Sequence, residues 1–306
     1  MSEADDLLAL LAEPDADVVI EPPGSGTGYW AGAPSAVWHD GTFYLAYRLR
    51  RPVSEGRGYA NVVARSADGV EFETVATVTS DQFDCASLER PALVPLDDGW
   101  RLYVSCSTRN SKHWWIEAID APDLADLAGG ERTVVLAGDE QSTAWKDPVV
   151  RRSGPGWQMW ACRHPLAGRG DDDGEADRMT SVYLTSDDGI SWTEQSTALE
   201  PTPGTWDARG ARITSVVRSG TEWVALYDGR ETAEQNWFER TGVAQGSSPE
   251  SFTAFAGPTG DGRTVRYVSL AESPSGTRLY WEASRSDGAN DLRTANVPRP
   301  LSPSQS

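Results

Sequence analysis

The chain has 306 residues, of which 39% are hydrophobic and 24% charged, and a net charge of −19. That length and composition describe a globular protein of one large or two ordinary domains and exclude a disordered chain. The acidic balance argues against a nucleic-acid partner, which needs a basic surface, and against adsorption to an anionic membrane.

The N-terminal stretch MSEADDLLALLAEPDADVV lacks the basic start and small-residue cleavage site of a secretory leader, so a cytoplasmic location is expected. Within it, residues 4–12 read as a short helix. No run approaches the roughly 18 apolar residues that cross a bilayer. Of the 27 basic residues, all except Lys112 and Lys146 are arginine, which a GC-rich genome or salt adaptation would produce. Cys85, Cys106 and Cys162 lack metal-ligand spacing and read as free thiols. His39, His113 and His164 form no cluster, so no metal and no cofactor is expected.

From residue 30 onward, short β-branched and aromatic runs alternate with Gly, Asp, Ser and Pro turns, an all-β signature. Five segments repeat a strand, a Gly-containing turn and an aromatic-rich strand: 33–48, 90–106, 147–163, 210–230 and 266–283. Pro34, Pro91 and Pro148 are spaced 57 apart, and turn glycines recur at Gly41, Gly99, Gly156, Gly220 and Gly276. Each unit continues into a further hairpin, best seen in SADGVEF (66–72) and SDDGISW (186–192), where Asp-Gly suits a tight turn. Four strands in roughly 57 residues make a propeller blade by the repeat logic. The expected fold is a five-bladed β-propeller with four-stranded antiparallel blades over 30–298. Residues 1–29 precede it and a tail, 299–306, follows. The acidic run GRGDDDGEAD (168–177) reads as a solvated loop, without the full spacing of a calcium loop.

In such a fold the starts of the first strands meet around a central channel. Read at equivalent positions they are Gly32-Ala33, Glu89-Arg90, Lys146-Asp147, Arg209-Gly210 and Val265-Arg266. Charges of both signs recur there beside strands that should be buried, which marks a polar central site; structural ion pairs would give the same pattern. Candidate carboxylates are Glu89, Asp147, Asp207, Asp228 and Glu239. The stretch YDGRETAEQNWFERTG (227–242) carries the last two, beside Arg230, Asn236 and Trp237; a salt-bridged loop would read the same way.

Arg90, Arg163, Arg209, Arg212 and Arg266 could grip an anionic group bidentately or neutralise the nearby acids, and Lys146 joins them. An arginine excess at the mouth favours an acidic substrate. Trp30, Trp145 and Trp206 adjoin strand starts, where flat rings stack on sugars or pack between blades. Trp114-Trp115 and Trp237 offer further rings. His113 and His164 titrate near neutral pH, and His164 ends a central strand that could reach the mouth.

APSAVWHDGTFYLAY, KDPVV and the two Asp-Gly hairpins resemble the five-bladed propeller glycosidases, glycoside hydrolase families 43 and 32 and their relatives. The resemblance spans nearly the whole chain and implies carboxylates at the channel mouth. It puts Asp147 on the blade-three aspartate that tunes pKa and position. Ala33 falls on the blade-one aspartate that should be base or nucleophile, and alanine cannot accept a proton. Arg209-Gly210-Ala211 falls where family 43 places its acid. What the resemblance implies is a carbohydrate-active, glycoside hydrolase-like enzyme acting on a small saccharide or glycoside. A non-catalytic carbohydrate-binding propeller, or a lyase or isomerase, is the alternative.

Overall fold

The structure is a computed structural model that describes residues 11, 16–166, 178–259 and 265–297. The expected helix at 4–12 lies outside those residues except for Leu11, which is helical and buried in one cluster with Val268 and Trp281. The acidic loop at 168–177 also lies outside them.

The described chain is strand after strand, broken by 3-10 turns at Val53–Glu55, Ser80–Phe83, Leu124–Gly129 and Ala233–Trp237. After β1 (Asp17–Ile20) comes a meander of β2 (Trp30–His39), β3 (Thr42–Arg50), β4 (Gly58–Ser66) and β5 (Glu73–Thr79). The second meander is β6 (Ala92–Leu96), β7 (Gly99–Ser107), β8 (Trp114–Ala121) and β9 (Glu131–Leu136). The third is β10 (Thr143–Ser153), β11 (Gly156–Pro165), β12 (Thr180–Ser186) and β13 (Thr193–Leu199). The fourth is β14 (Gly210–Ser219), β15 (Glu222–Arg230), β16 (Arg240–Ser248) and β17 (Ser251–Ala256). The last has β18 (Val265–Ser273), β19 (Gly276–Ser284) and β20 (Asn290–Asn296), and β1 pairs antiparallel with β20 as its outer strand. Part of the N-terminal segment expected to precede the repeats is therefore built into a sheet. First and last meanders share a single bridge, Trp30 to Asn290.

Apolar side chains fill the gaps between successive sheets. One cluster joins Val63 to Leu93 and Leu102, another joins Tyr103 and Ile116 to Trp157 and Val182. A third joins Trp160 and Tyr183 to Ile213 and Phe252, and a fourth joins Leu226 and Val243 to Leu279 and Trp281. The fifth joins the last sheet to the first, through Tyr280 and Leu292 against Leu45 and Val62. The inner strands β7, β11 and β15 are buried on both faces along most of their length, which is why they read as near-continuous apolar runs.

Buried serines tie each sheet to the first strand of the next. Leu93 N–H donates to Ser35 Oγ at 3.1 Å, Asp147 N–H to Ser105 Oγ at 2.9 Å, and Ile213 N–H to Ser181 Oγ at 2.7 Å. Ser215 Oγ donates to Val268 O at 2.7 Å, and Ala36 N–H returns to Ser269 Oγ at 2.9 Å. The outer hairpins are tied in the same sense. Asp68 and Asp188 each accept two backbone N–H groups of their own turn, at 2.7–3.0 Å. The turn carbonyls then accept a tyrosine hydroxyl from the preceding sheet: Gly189 O from Tyr103 at 2.7 Å and Gly69 O from Tyr280 at 2.9 Å.

Near its start, each of β2, β10 and β18 carries a bulge that puts two residues opposite one. Ala33, Asp147 and Tyr267 occupy it with φ of 53°, 56° and 54°, left-handed values that a side chain tolerates poorly. This register corrects two of the expected equivalences. Arg266-Tyr267, not Val265-Arg266, matches Lys146-Asp147, because Arg266 pairs with Glu282 as Lys146 pairs with Cys162. Arg212, not Arg209, holds that place in β14, where it pairs with Asp228 and the extra residue comes later, at Thr214. Gly32 also sits in this register, and a β-carbon there would overlap the Glu282 carboxylate.

Tyr280→Phe leaves Gly69 O without its partner across the join of last and first sheets. The expected loss is about 1–2 kcal/mol of unfolding free energy, read by urea denaturation; an unchanged midpoint would mean the join does not depend on that bond.

Candidate functional site

The starts of β8, β10 and β18 and the ends of β3, β11 and β15 come together on one side of the molecule. They surround a cavity of about 350 Å³, at the small end of the range for small-molecule sites. Its wall holds seven arginine or lysine side chains and two carboxylates, Glu89 and Glu239. In a chain of net charge −19 this is a local inversion of sign.

Arg212, 2% exposed, is the hub beneath the cavity. Its Nη1 donates to Asp147 at 3.3 Å, and its Nη2 donates to Asp228 at 2.9 Å and to Glu239. Its guanidinium lies 4.0 Å from the centre of the Tyr267 ring. Glu239 also meets Arg230 at 3.4 Å and Arg266 at 3.8 Å. Arg266 pairs with Glu282 at 3.1 Å, and Glu282 with Arg48 at 3.3 Å; Arg48 then meets Glu89. The chain of alternating charges runs unbroken from Asp147 to Glu89.

Burial raises the pKa of Asp147, Asp228 and Glu239, and the neighbours decide the outcome. For Asp147, Lys146 at 3.6 Å together with Arg212, Arg48 and Arg90 outweighs burial and holds the carboxyl below its ordinary range. Glu239 is held low in the same way, by Arg212, Arg266 and Arg230. Asp228 ends up raised: burial comes first, Arg212 opposes it, and the charge of Glu239 adds to it. Lys146, on the wall, is lowered by burial despite Asp147. Tyr267, also on the wall, is raised by burial and stays a phenol, its hydroxyl 3.5 Å from Asp147. The wall thus offers an ionised carboxylate, Glu239, and proton donors in Lys146 and Tyr267. Among the described residues no group of His, Cys, Asp or Glu is placed to hold a metal ion.

Of the residues expected at the mouth, Glu89, Lys146, His164, Arg212, Glu239 and Arg266 line the cavity. Asp147 and Asp228 lie directly behind it, fully buried. Trp30 is also buried behind the wall, under the guanidinium of Arg50 at 4.1 Å. The others are elsewhere. Arg90 is a buried cross-tie, donating to Pro34 O at 3.2 Å and Thr214 O at 2.7 Å. Asp207 accepts from the Tyr227 hydroxyl at 2.9 Å and from Thr205, which braces the turn before β14. Arg209 stands in that turn, its N–H on Arg230 O at 2.9 Å. Arg163 pairs with Glu194 at 2.8 Å on the outer side of β11. Trp145 and Trp206 pack between sheets, Trp206 against Gly229 and Gly242. His113 is fixed by Thr108 at 2.8 Å and Ala137 O at 2.9 Å.

Arg48, Arg50, Arg57, Tyr267 and Glu282 belong to the site or its support and were not expected there. One signal was legible: RLRRPVSEGR (48–57) packs four arginines into ten residues at a strand end.

No family model matches this sequence, and no curated protein is similar to it. Solved structures are. A thermostable family 43 glycoside hydrolase superposes with a TM-score of 0.68 at 12% identity, covering 92% of each chain. A family 130 glycoside hydrolase described as targeting β-1,2 mannosidic linkages in Candida mannan gives 0.60 at 15% identity over 94% of each chain. An exo-1,5-α-L-arabinanase from a bovine ruminal metagenomic library gives 0.61 at 14% identity, over 89% of this chain and 94% of that one. The chain therefore has the fold of the propeller glycoside hydrolases related to family 43.

Arg212→Ala leaves three buried carboxylates without their shared cation, and the expected cost is about 3–5 kcal/mol in urea at pH 7. Asp147 and Glu239 have lowered folded-state values, so their contribution is present above the unfolded carboxylate range, about 3.9–4.3. It is lost as pH falls through the lower folded values. The gap between wild type and variant should therefore narrow below about pH 4; a gap independent of pH would contradict the ion-pair account.

Proposed function

We propose that the chain is a five-bladed β-propeller carbohydrate-active enzyme, glycoside hydrolase-like, acting on a small saccharide in the central cavity. The five apolar clusters and the ring of serine bonds support five blades, with β1 closing the last. The observation that carries the function is the cavity wall: Glu239 and Glu89 face a small polar cavity beside Trp114 and Trp237. Indole rings suit the apolar faces of a sugar, and flanking carboxylates suit glycosidic chemistry.

In this reading Glu239, held ionised by three arginines, receives the proton of water or stabilises positive charge at the anomeric carbon. Lys146, its pKa lowered by burial, supplies a proton to the leaving oxygen. Asp147 sits behind both and sets their charge. A second reading, binding without turnover, is favoured by Ala33. It holds the register of Asp147 in the first meander and offers no carboxylate where family 43 resemblance expects one.

Product release from a panel of nitrophenyl glycosides and disaccharides, followed by mass spectrometry, tests the proposal. Hydrolysis is expected, with Glu239→Gln lowering kcat by about 10²–10⁴-fold. Hydrolysis intact in both Glu239→Gln and Glu89→Gln would remove the site assignment. Saturable sugar binding with no product would select the binding reading.

A further inference from the structure

Arg50 is the unusual member of the cavity wall. It ends β3 and is 4% exposed, and its side chain makes no hydrogen bond or ion pair among the described residues. Its Nε and Nη2 are buried without a partner. Two indoles flank the guanidinium, Trp30 at 4.1 Å and Trp237 at 4.8 Å from their ring centres. Burial first, then the charges of Arg48, Arg57 and Arg266, pull its pKa down to about 9. Arg57, on the same wall, is lowered by burial and by Arg48, and its Nε is also unpartnered. The other three arginines of the wall, Arg212, Arg230 and Arg266, each meet a carboxylate. A buried cation without a counter-ion costs several kcal/mol unless something supplies the charge.

We infer that Arg50, with Arg57 beside it, is a subsite for a single oxyanion, the carboxylate or phosphate carried by an anionic sugar substrate. The inference rests on the saccharide reading of the cavity and names its substrate class. The two indoles hold the guanidinium plane, so its fork is oriented before the ligand arrives. The site's chemistry points the same way. An oxocarbenium-like transition state is positively charged, and a wall of seven cations against two carboxylates opposes it. A negative group on the substrate offsets that opposition.

Isothermal titration of the full chain with glucuronate, glucose 6-phosphate, glucose and inorganic phosphate tests this. An anionic sugar should bind at least about tenfold more tightly than glucose, and added salt should weaken the preference. Arg50→Met should abolish the preference, and Arg50→Lys should restore only part of it, keeping the charge but not the fork. The melting temperature of Arg50→Met should be unchanged or higher, because an unpaired buried charge is removed; a purely structural arginine would lower it. If Arg50→Met does not fold, Arg57→Gln carries the same test with a smaller loss of affinity.

Equal affinity for glucose and glucuronate, or a preference that survives both variants, overturns the inference and leaves the saccharide reading standing. Binding of inorganic phosphate but of no sugar, lost in Arg50→Met, keeps the oxyanion subsite and overturns the saccharide reading. No binding of any of the four overturns both.

Discussion

The interior of this protein is organised by one guanidinium. Arg212 sits where apolar sheets converge and gathers Asp147, Asp228 and Glu239 around itself. Three carboxylates this close repel one another, and burial would protonate them all. Arg212 prevents that for two and leaves Asp228 as the one pushed up. Arg230, Arg266 and Lys146 then balance what a single cation cannot. Because these partners come from separate sheets, the ion network also fixes how the first strands meet.

The backbone makes room for that network at a cost. Asp147 and Tyr267 hold left-handed φ values in bulges at the same register, and both side chains meet Arg212. Strain of roughly 1–3 kcal/mol per residue is tolerable only because the serine bonds and flanking sheets over-determine the position. Gly32 pays in another way, giving up its side chain so that the Glu282 carboxylate can approach. Strained backbone, buried charge and an unpartnered arginine occur together at one cavity.

Much of the repeat was legible in the sequence. Pro34, Pro91 and Pro148, with their turn glycines, mark the meanders, and the two Asp-Gly hairpins have the geometry their residues imply. Lys146-Asp147 could be read because two charges before a valine pair conflict with burial unless the site is polar. The fourth and fifth registers could not be read, since spacing does not reveal where a bulge places its extra residue. Trp145 and Trp206 misled because packing between sheets and stacking on a ligand ask for the same ring. Arg48 and Arg50 were missed for a related reason: alternate arginines on a strand look like a solvated face until the strand's end is known to reach the cavity.

The central claim is that a small anionic sugar sits in the cavity over Arg212. A crystal soaked with mono- and disaccharides, uronates included, tests it most directly. The account predicts a sugar with its carboxylate on Arg50 and a ring hydroxyl or glycosidic oxygen within hydrogen-bond reach of Glu239. A sugar bound elsewhere, or one in the cavity with no anionic group near Arg50, would contradict it.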